Sequence, residues 1–599
     1  MKRCALLLWI LCGSCISSHS QMSDMERCFH EKYGVIDVTP CLPETDINRF
    51  TSSFNCTLYQ ISRGREYIPI FMPKETDPTI TVRLNLIFVQ KNDGTGNFEE
   101  NNAEHQLFFD DVINSLNRRY SSLVLPDSNC FIGSDTDMIH DTRIRFVDHR
   151  YYIKDSRLWN NNLFGSMSQL CPDNNNWYLR ELDDSIHQNS YSYNKAINIY
   201  FTEDSTLYHK YWVEQNLNDT SDFGNGNTNA ACSMFPSYTN WEESSRIHMP
   251  CQYSKYWWMK NIVPQKAQFN YSPWATEVRW WHVNSIAMTL AHELGHSFNL
   301  RHPNSEHPSS SFYPDIACNA SIMYQGGEGP HNFLPPQEIG RMYISMMTTN
   351  LQQFIPVGTH LGTKTIDTIV TLPHMHLYHS LEIGSTGNVT MPCDMLMQTG
   401  SQIKVLNGGI LKIDGASLHS SFNPWRGIIV QSGGTLILSN TYIEDYNITV
   451  KSGGVLIIKN NLTISGDHSI EIENGGYLCV ENTASIDLIN KFSTIAIKGA
   501  ILGCPSCGEQ CISSLNGLTN SGEGQILKYM ENGYIQNITI TSDTLVTGNV
   551  VYGGFDVTTS EPVGNVIVED GGHLRIRARE TILTKDVEVK RGGRLDVYR

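Results

Sequence analysis

The stretch that organises the chain is SIAMTLAHELGHSFNLRH, Ser285 to His302. Ile286, Met288, Leu290 and Ala291 recur at helical spacing, and no Pro or Gly interrupts them before Gly295. His292 and His296 stand four residues apart, so a helix projects both imidazoles from one face at a separation that one metal ion bridges. Glu293 follows the first histidine and reaches water on such a metal without being a ligand. His302 lies six residues beyond His296, which requires the helix to end and the chain to reverse. Asn299 is placed to make that reversal, because a short polar side chain tolerates the left-handed backbone better than any residue but Gly. Three neutral imidazoles and an open fourth position suit catalytic Zn2+.

Ser321-Ile322-Met323-Tyr324 follows, with Met323 21 residues after His302. Together, HELGHSFNLRH and this later methionine resemble the extended zinc signature and Met-turn of the metzincin metalloproteases. Within them the chain is similar to the pappalysin and cytophagalysin group over roughly residues 79–350. That similarity includes RIHMPCQYSKYWWMK (Arg246 to Lys260) and FLPPQEIGRMYISM (Phe333 to Met346). The resemblance implies zinc on His292, His296 and His302, Glu293 as general base, Met323 as an apolar floor beneath the metal, and hydrolysis of protein or peptide substrates. Asn299 departs from the family's Gly. Tyr324 follows Met323 directly, one residue too early for a switching tyrosine ligand, so it is not assigned to the metal. A gluzincin reading would take Glu338 as third ligand, but His302 already stands at the metzincin spacing. His307 and His331 read as ordinary surface histidines, and Trp257-Trp258 and Trp280-Trp281 as packing around the helix.

Upstream, Thr79 to Gln90 (TITVRLNLIFVQ) reads as a buried strand and Glu104 to Tyr120 as a helix. Ile144 to Val147 and Ala196 to Phe201 read as further strands, giving an α/β layered domain. Downstream of about residue 360, Gly pairs punctuate Val/Ile/Leu-rich strands. They fall at Gly408-Gly409, Gly433-Gly434, Gly453-Gly454, Gly475-Gly476, Gly571-Gly572 and Gly592-Gly593, each leading a similar strand (GILKI, GTLIL, GVLII, GYLCV, GHLRI, GRLDV). A period near 20 residues predicts a solenoid, with a parallel β-helix as the reading and a β-sandwich as the alternative. The pattern weakens between about residues 500 and 560, where an insertion is expected.

The predicted organisation is multidomain: a signal peptide over residues 1–20, a leader or pro-segment over 21–77, a metzincin-like α/β domain over 78–355 and an all-β solenoid over 356–599. Lys2 and Arg3, an apolar run from Ala5 to Leu11, and Ser18 and Ser20 before the cut mark the signal. The product is expected to be exported, with no transmembrane segment; a lipid anchor at Cys15 fits poorly. Removing the signal takes two positive charges, moving the formal charge from -17 to about -19. Such a surface argues against a nucleic-acid partner.

Three of the 16 cysteines leave with the signal, and in an oxidising compartment the remaining 13 default to several disulfides with one thiol left over. Cys28 in the leader has two readings: a disulfide with Cys41 or Cys56, or an inhibitory thiolate on the zinc. Cys504, Cys507 and Cys511 read as disulfide partners in an exported loop. A rival overall reading is a catalytically inactive, protease-like adhesin that works through its solenoid. In either case the repeats offer contact to glycan, matrix or cell envelope, and they lack the paired carboxylates that polysaccharide cleavage needs.

Overall fold

The computed structural model describes residues 71–127, 130–131, 133–160, 196–203, 232–233, 246–261, 277–303, 318–324, 330–356, 358–420, 424–498, 500–503, 511, 520–528, 532–559 and 561–598. The expected signal, most of the expected leader with Cys28, and His307, Cys504 and Cys507 lie outside them. The described residues fall into two compact units, 71–362 and 363–598.

The first unit is α/β. Strands β1 (Ile80–Gln90), β2 (Ile144–Lys154), β3 (Ile197–Thr202), β4 (Cys232–Ser233) and β5 (Arg246–Pro250) form one sheet in the order β2-β1-β3-β5-β4. All neighbours run parallel except β4, which is antiparallel on the edge beside β5. The interior strand β1 is buried on both faces, as expected for a strand covered on each side. Its polar positions find partners inside. Asn85 donates to Asn198 Oδ1 at 2.8 Å, and Arg83 to the carbonyl of Gln353 at 2.8 Å.

Helix α1 (Ala103–Ser121) starts at Asn102, whose side chain accepts from the backbone N–H groups of Glu104 and His105. Its apolar stripe, including Phe108, Phe109, Val112 and Leu116, is buried. Phe108 and Phe109 join an aromatic cluster with Phe88 and Phe98. Helices α2 (Gln252–Asn261), α3 (Glu277–Ser297) and α4 (Pro336–Thr348) follow. Helix α3 carries the histidine motif. It is fixed to α1 at two heights, by Ser115 Oγ donating to Asn284 Oδ1 and by the Tyr120 hydroxyl donating to the carbonyl of Ala291, both at 2.7 Å.

The second unit is a parallel-strand solenoid of the β-helix type. One face stacks strands beginning at Thr363, Ser380, Ile403, Ile428, Ile448, Ser469, Thr494 and Gln525, and a second runs parallel to it from Ile369 to Leu502. Every strand pairing among the described residues of the unit is parallel, which disposes of the sandwich alternative, an antiparallel architecture. The register makes continuous apolar columns: Val389, Leu411, Leu436, Leu456 and Leu478 stack one above the next, and all are buried. In the stretch where the glycine repeat weakens, the Gln525–Lys528, Asn532–Ile535 and Asp543–Gly553 strands keep the parallel pairing.

The Gly pairs divide their labour at the corners. Gly433 has φ +75°, and the Gly433 N–H donates to the Gly453 carbonyl of the next coil at 2.8 Å. Gly434 is needed for space, since a Cβ there would lie 2.5 Å from the Val405 carbonyl of the preceding coil. Cys479 is disulfide-bonded to Cys511, and in the first unit Cys130 is bonded to Cys318. No helix among the described residues is long and apolar enough to cross a membrane.

Candidate metal centre

The C-terminal end of α3 is closed by a pair of crossed backbone bonds. Leu300 N–H donates to the Gly295 carbonyl at 2.9 Å and Asn299 N–H to the His296 carbonyl at 2.8 Å. With Asn299 at φ 68°, this is the Schellman arrangement with Asn in place of Gly at the left-handed position. It turns the chain back, so His302 returns to the face that carries His292 and His296.

The three rings converge through the same atom. His302 Nε2 lies 3.0 Å from His292 Nε2 and 3.1 Å from His296 Nε2. Among the described residues, this is the one group of three or more ligand-type side chains whose donor atoms fall within 4.8 Å of one another. The opposite ring nitrogens settle the tautomers of two of them. His292 Nδ1 sits 3.0 Å from the Ile322 carbonyl and His296 Nδ1 sits 2.9 Å from the Leu300 carbonyl. A carbonyl only accepts, so each Nδ1 carries the proton and each Nε2 turns a lone pair inward.

Burial reinforces that state. It pushes His292 down to about 3, with the charges of His296 and His302 adding to the effect. Burial likewise pushes His296 down to about 4 and lowers His302. The rings are therefore neutral near pH 7, the form that ligates metal. Lone pairs crowded at about 3 Å repel one another unless a cation lies among them, so the donor set fits a divalent metal that takes imidazole.

Glu293 is buried beside His292 on the same helix. Met323 is fully buried beneath that helix: a Cβ at Gly295 would lie 2.2 Å from its sulfur. Gly295 is thus a site residue that sequence reasoning passed over, and its signal was its place between the two helical histidines. The turn holding Met323 is secured by Met323 N–H donating to Ser321 Oγ at 3.0 Å and by Ile322 N–H donating to the Phe333 carbonyl at 3.0 Å. The Cys130–Cys318 disulfide anchors the start of this segment.

Two surface expectations are corrected. His331, read as a surface histidine, is 3% exposed and its ring lies 6.1 Å from that of Tyr324. Trp280 and Trp281, read as packing, are 49% and 57% exposed, whereas Trp258 is buried. Arg118 and Lys255 lie over the two exposed rings. Glu338 is buried on α4 and is not part of the converging group. Comparison of the chain with protein-family models, with curated proteins and with solved structures gave no match.

Proposed function

We propose that this chain is an exported zinc-dependent endopeptidase of the metzincin type, with His292, His296 and His302 as metal ligands and Glu293 as general base. The observation that carries the reading is the convergence of three Nε2 atoms, two of them locked in the ligating tautomer by backbone carbonyls. The chain reversal at Asn299 and the methionine packed under Gly295 support the subtype.

Zinc, when bound, supplies the positive charge that acidifies water and polarises a carbonyl. The chain's own residues do the rest. Ile322 and Leu300 hold two imidazoles in fixed orientation, so little rearrangement accompanies metal binding. Glu293 accepts a proton from the attacking water and delivers it to the leaving amine. The apolar bed of Met323 and Leu300, both buried and both packed against Gly295, keeps polar competitors from beneath the ligands.

The alternative, an inactive adhesin acting through the solenoid, gains no specific support from the metal centre, which retains all four polar residues. The deciding experiment is zinc stoichiometry with a peptide-library cleavage assay on wild type and Glu293→Ala. The reading expects one zinc in both proteins and cleavage by wild type alone. Cleavage by Glu293→Ala at the wild-type rate would remove Glu293 from the chemistry.

A further inference from the structure

The reading above leaves one buried residue at the site without a role. His331 adopts φ 42°, a left-handed conformation that suits Gly or Asn and that a bulky side chain rarely takes. Its imidazole is nevertheless buried beside Tyr324. Its backbone is tied down: Arg119 donates to the His331 carbonyl at 2.9 Å and to that of Pro330 at 3.3 Å. The same guanidinium reaches the Asn284 carbonyl on α3 at 3.5 Å.

Immediately after His331, Asn332 and Phe333 donate to the Ala320 carbonyl at 2.9 and 3.0 Å, and Phe333 accepts from Ile322. That ladder places the Ile322 carbonyl, which receives the proton of His292 Nδ1. The conformation at position 331 therefore directs the chain into the single Ser321–Phe333 bridge beside the carbonyl that orients a metal ligand. A backbone that asks for glycine, filled instead by a buried imidazole next to a reactive centre, is strain kept where it is used.

We propose that His331 is a positioning residue of the metal site: its left-handed backbone and its buried ring beside Tyr324 hold the loop whose Ile322 carbonyl aims His292. The proposal rests on the zinc-peptidase reading and deepens it.

The test uses the full chain as wild type, His331→Gly and His331→Asn, each loaded with Co2+ and with Zn2+. The readouts are the cobalt d–d absorption, kcat and KM on a cleaved library peptide, and the melting temperature. Both variants accept the left-handed backbone, and the strain relieved offsets the packing lost with the ring, so the expectation is a melting temperature near that of wild type. The cobalt bands should shift, and kcat should fall roughly ten- to hundredfold at near-constant KM, the scale of a small misplacement. Wild-type spectrum and kcat in both variants would overturn the proposal. So would a joint loss of melting temperature and activity, which marks a purely structural residue. If wild type holds cobalt but cleaves no peptide, the peptidase reading fails alone and the spectrum still judges His331. If wild type takes up no metal, both fall.

Discussion

Both units of the molecule bury histidines, and they do so to opposite effect. In the α/β unit, His292 and His296 sit four apart on a helix and His302 is brought back by a capped turn, so three Nε2 atoms meet within hydrogen-bond distance. In the solenoid, His374, His376 and His379 are more deeply buried than the converging three, along an extended stretch. There the spacing separates them, because same-face neighbours two residues apart on a strand stand about 6.6 Å from each other. Each finds its own surroundings. His376 Nε2 lies 2.7 Å from Gln398 Oε1 and its ring stacks on Tyr378, while His374 Nδ1 bonds to the carbonyl of Asp394. Burial alone does not make a site. Convergence does, and helix periodicity with a left-handed reversal delivers it.

The largest test of that contrast is chemical. Glu293→Ala should lower peptide cleavage by about 10²–10⁴-fold, the range of a general base, while zinc content stays at the wild-type value. His376→Gln, an equally buried change in the solenoid, should leave the cleavage rate as it was. A rate loss in His376→Gln comparable to that in Glu293→Ala would break the distinction between the regions.

Acid should separate them next. Burial holds His374 and His376 at about 3, against 6.5 unfolded. A lowered folded value means the unfolded chain binds more protons below pH 6.5, so their contribution is complete above that pH and is lost as pH falls toward 3. By pH 4.5 the loss is roughly 3 kcal/mol per ring. Melting curves from pH 7 to 4.5 should show this slope, and His376→Gln should flatten it. The centre at His292 carries the same liability without metal, so added zinc should raise melting temperature more at pH 7 than at pH 4.5, where protons compete for the lone pairs. A melting temperature independent of pH over this range would contradict the burial of these rings.

The two kinds of corner give a smaller difference. Gly434→Ala drives a Cβ against the Val405 carbonyl of the preceding coil and should cost about 1–3 kcal/mol in denaturant unfolding. Asn299→Ala meets only the left-handed penalty, about 1–2 kcal/mol, and Asn299→Gly should be neutral or slightly stabilising. A smaller cost for Gly434→Ala than for Asn299→Ala would mean that the solenoid corner is looser than its stacked carbonyls imply.

What was legible in the sequence was whatever depends on short spacing. The strand expected over Thr79 to Gln90 runs Ile80–Gln90, and the helix expected over Glu104 to Tyr120 runs Ala103–Ser121. The glycine pairs placed the solenoid corners because a positive φ and a close backbone approach are local demands. Four features escaped for the opposite reason. The two-residue antiparallel edge at Cys232–Ser233 is too short to have a period. The Cys130–Cys318 bond joins residues 188 apart, a choice of partner that no local pattern encodes. His331 is buried beside Tyr324, a contact that no sequence period encodes, and Trp280 and Trp281 are exposed because their helix turns that side outward. Sequence period tells which residues share a face, and tertiary packing decides what the face meets.

Calorimetric titration of the metal-stripped full chain with Zn2+ at pH 7 addresses the convergence of the three imidazoles most directly. The account predicts one zinc per chain in wild type and in His376→Gln, and loss of that binding in His302→Ala. No saturable zinc binding in wild type, or full binding retained by His302→Ala, would contradict it.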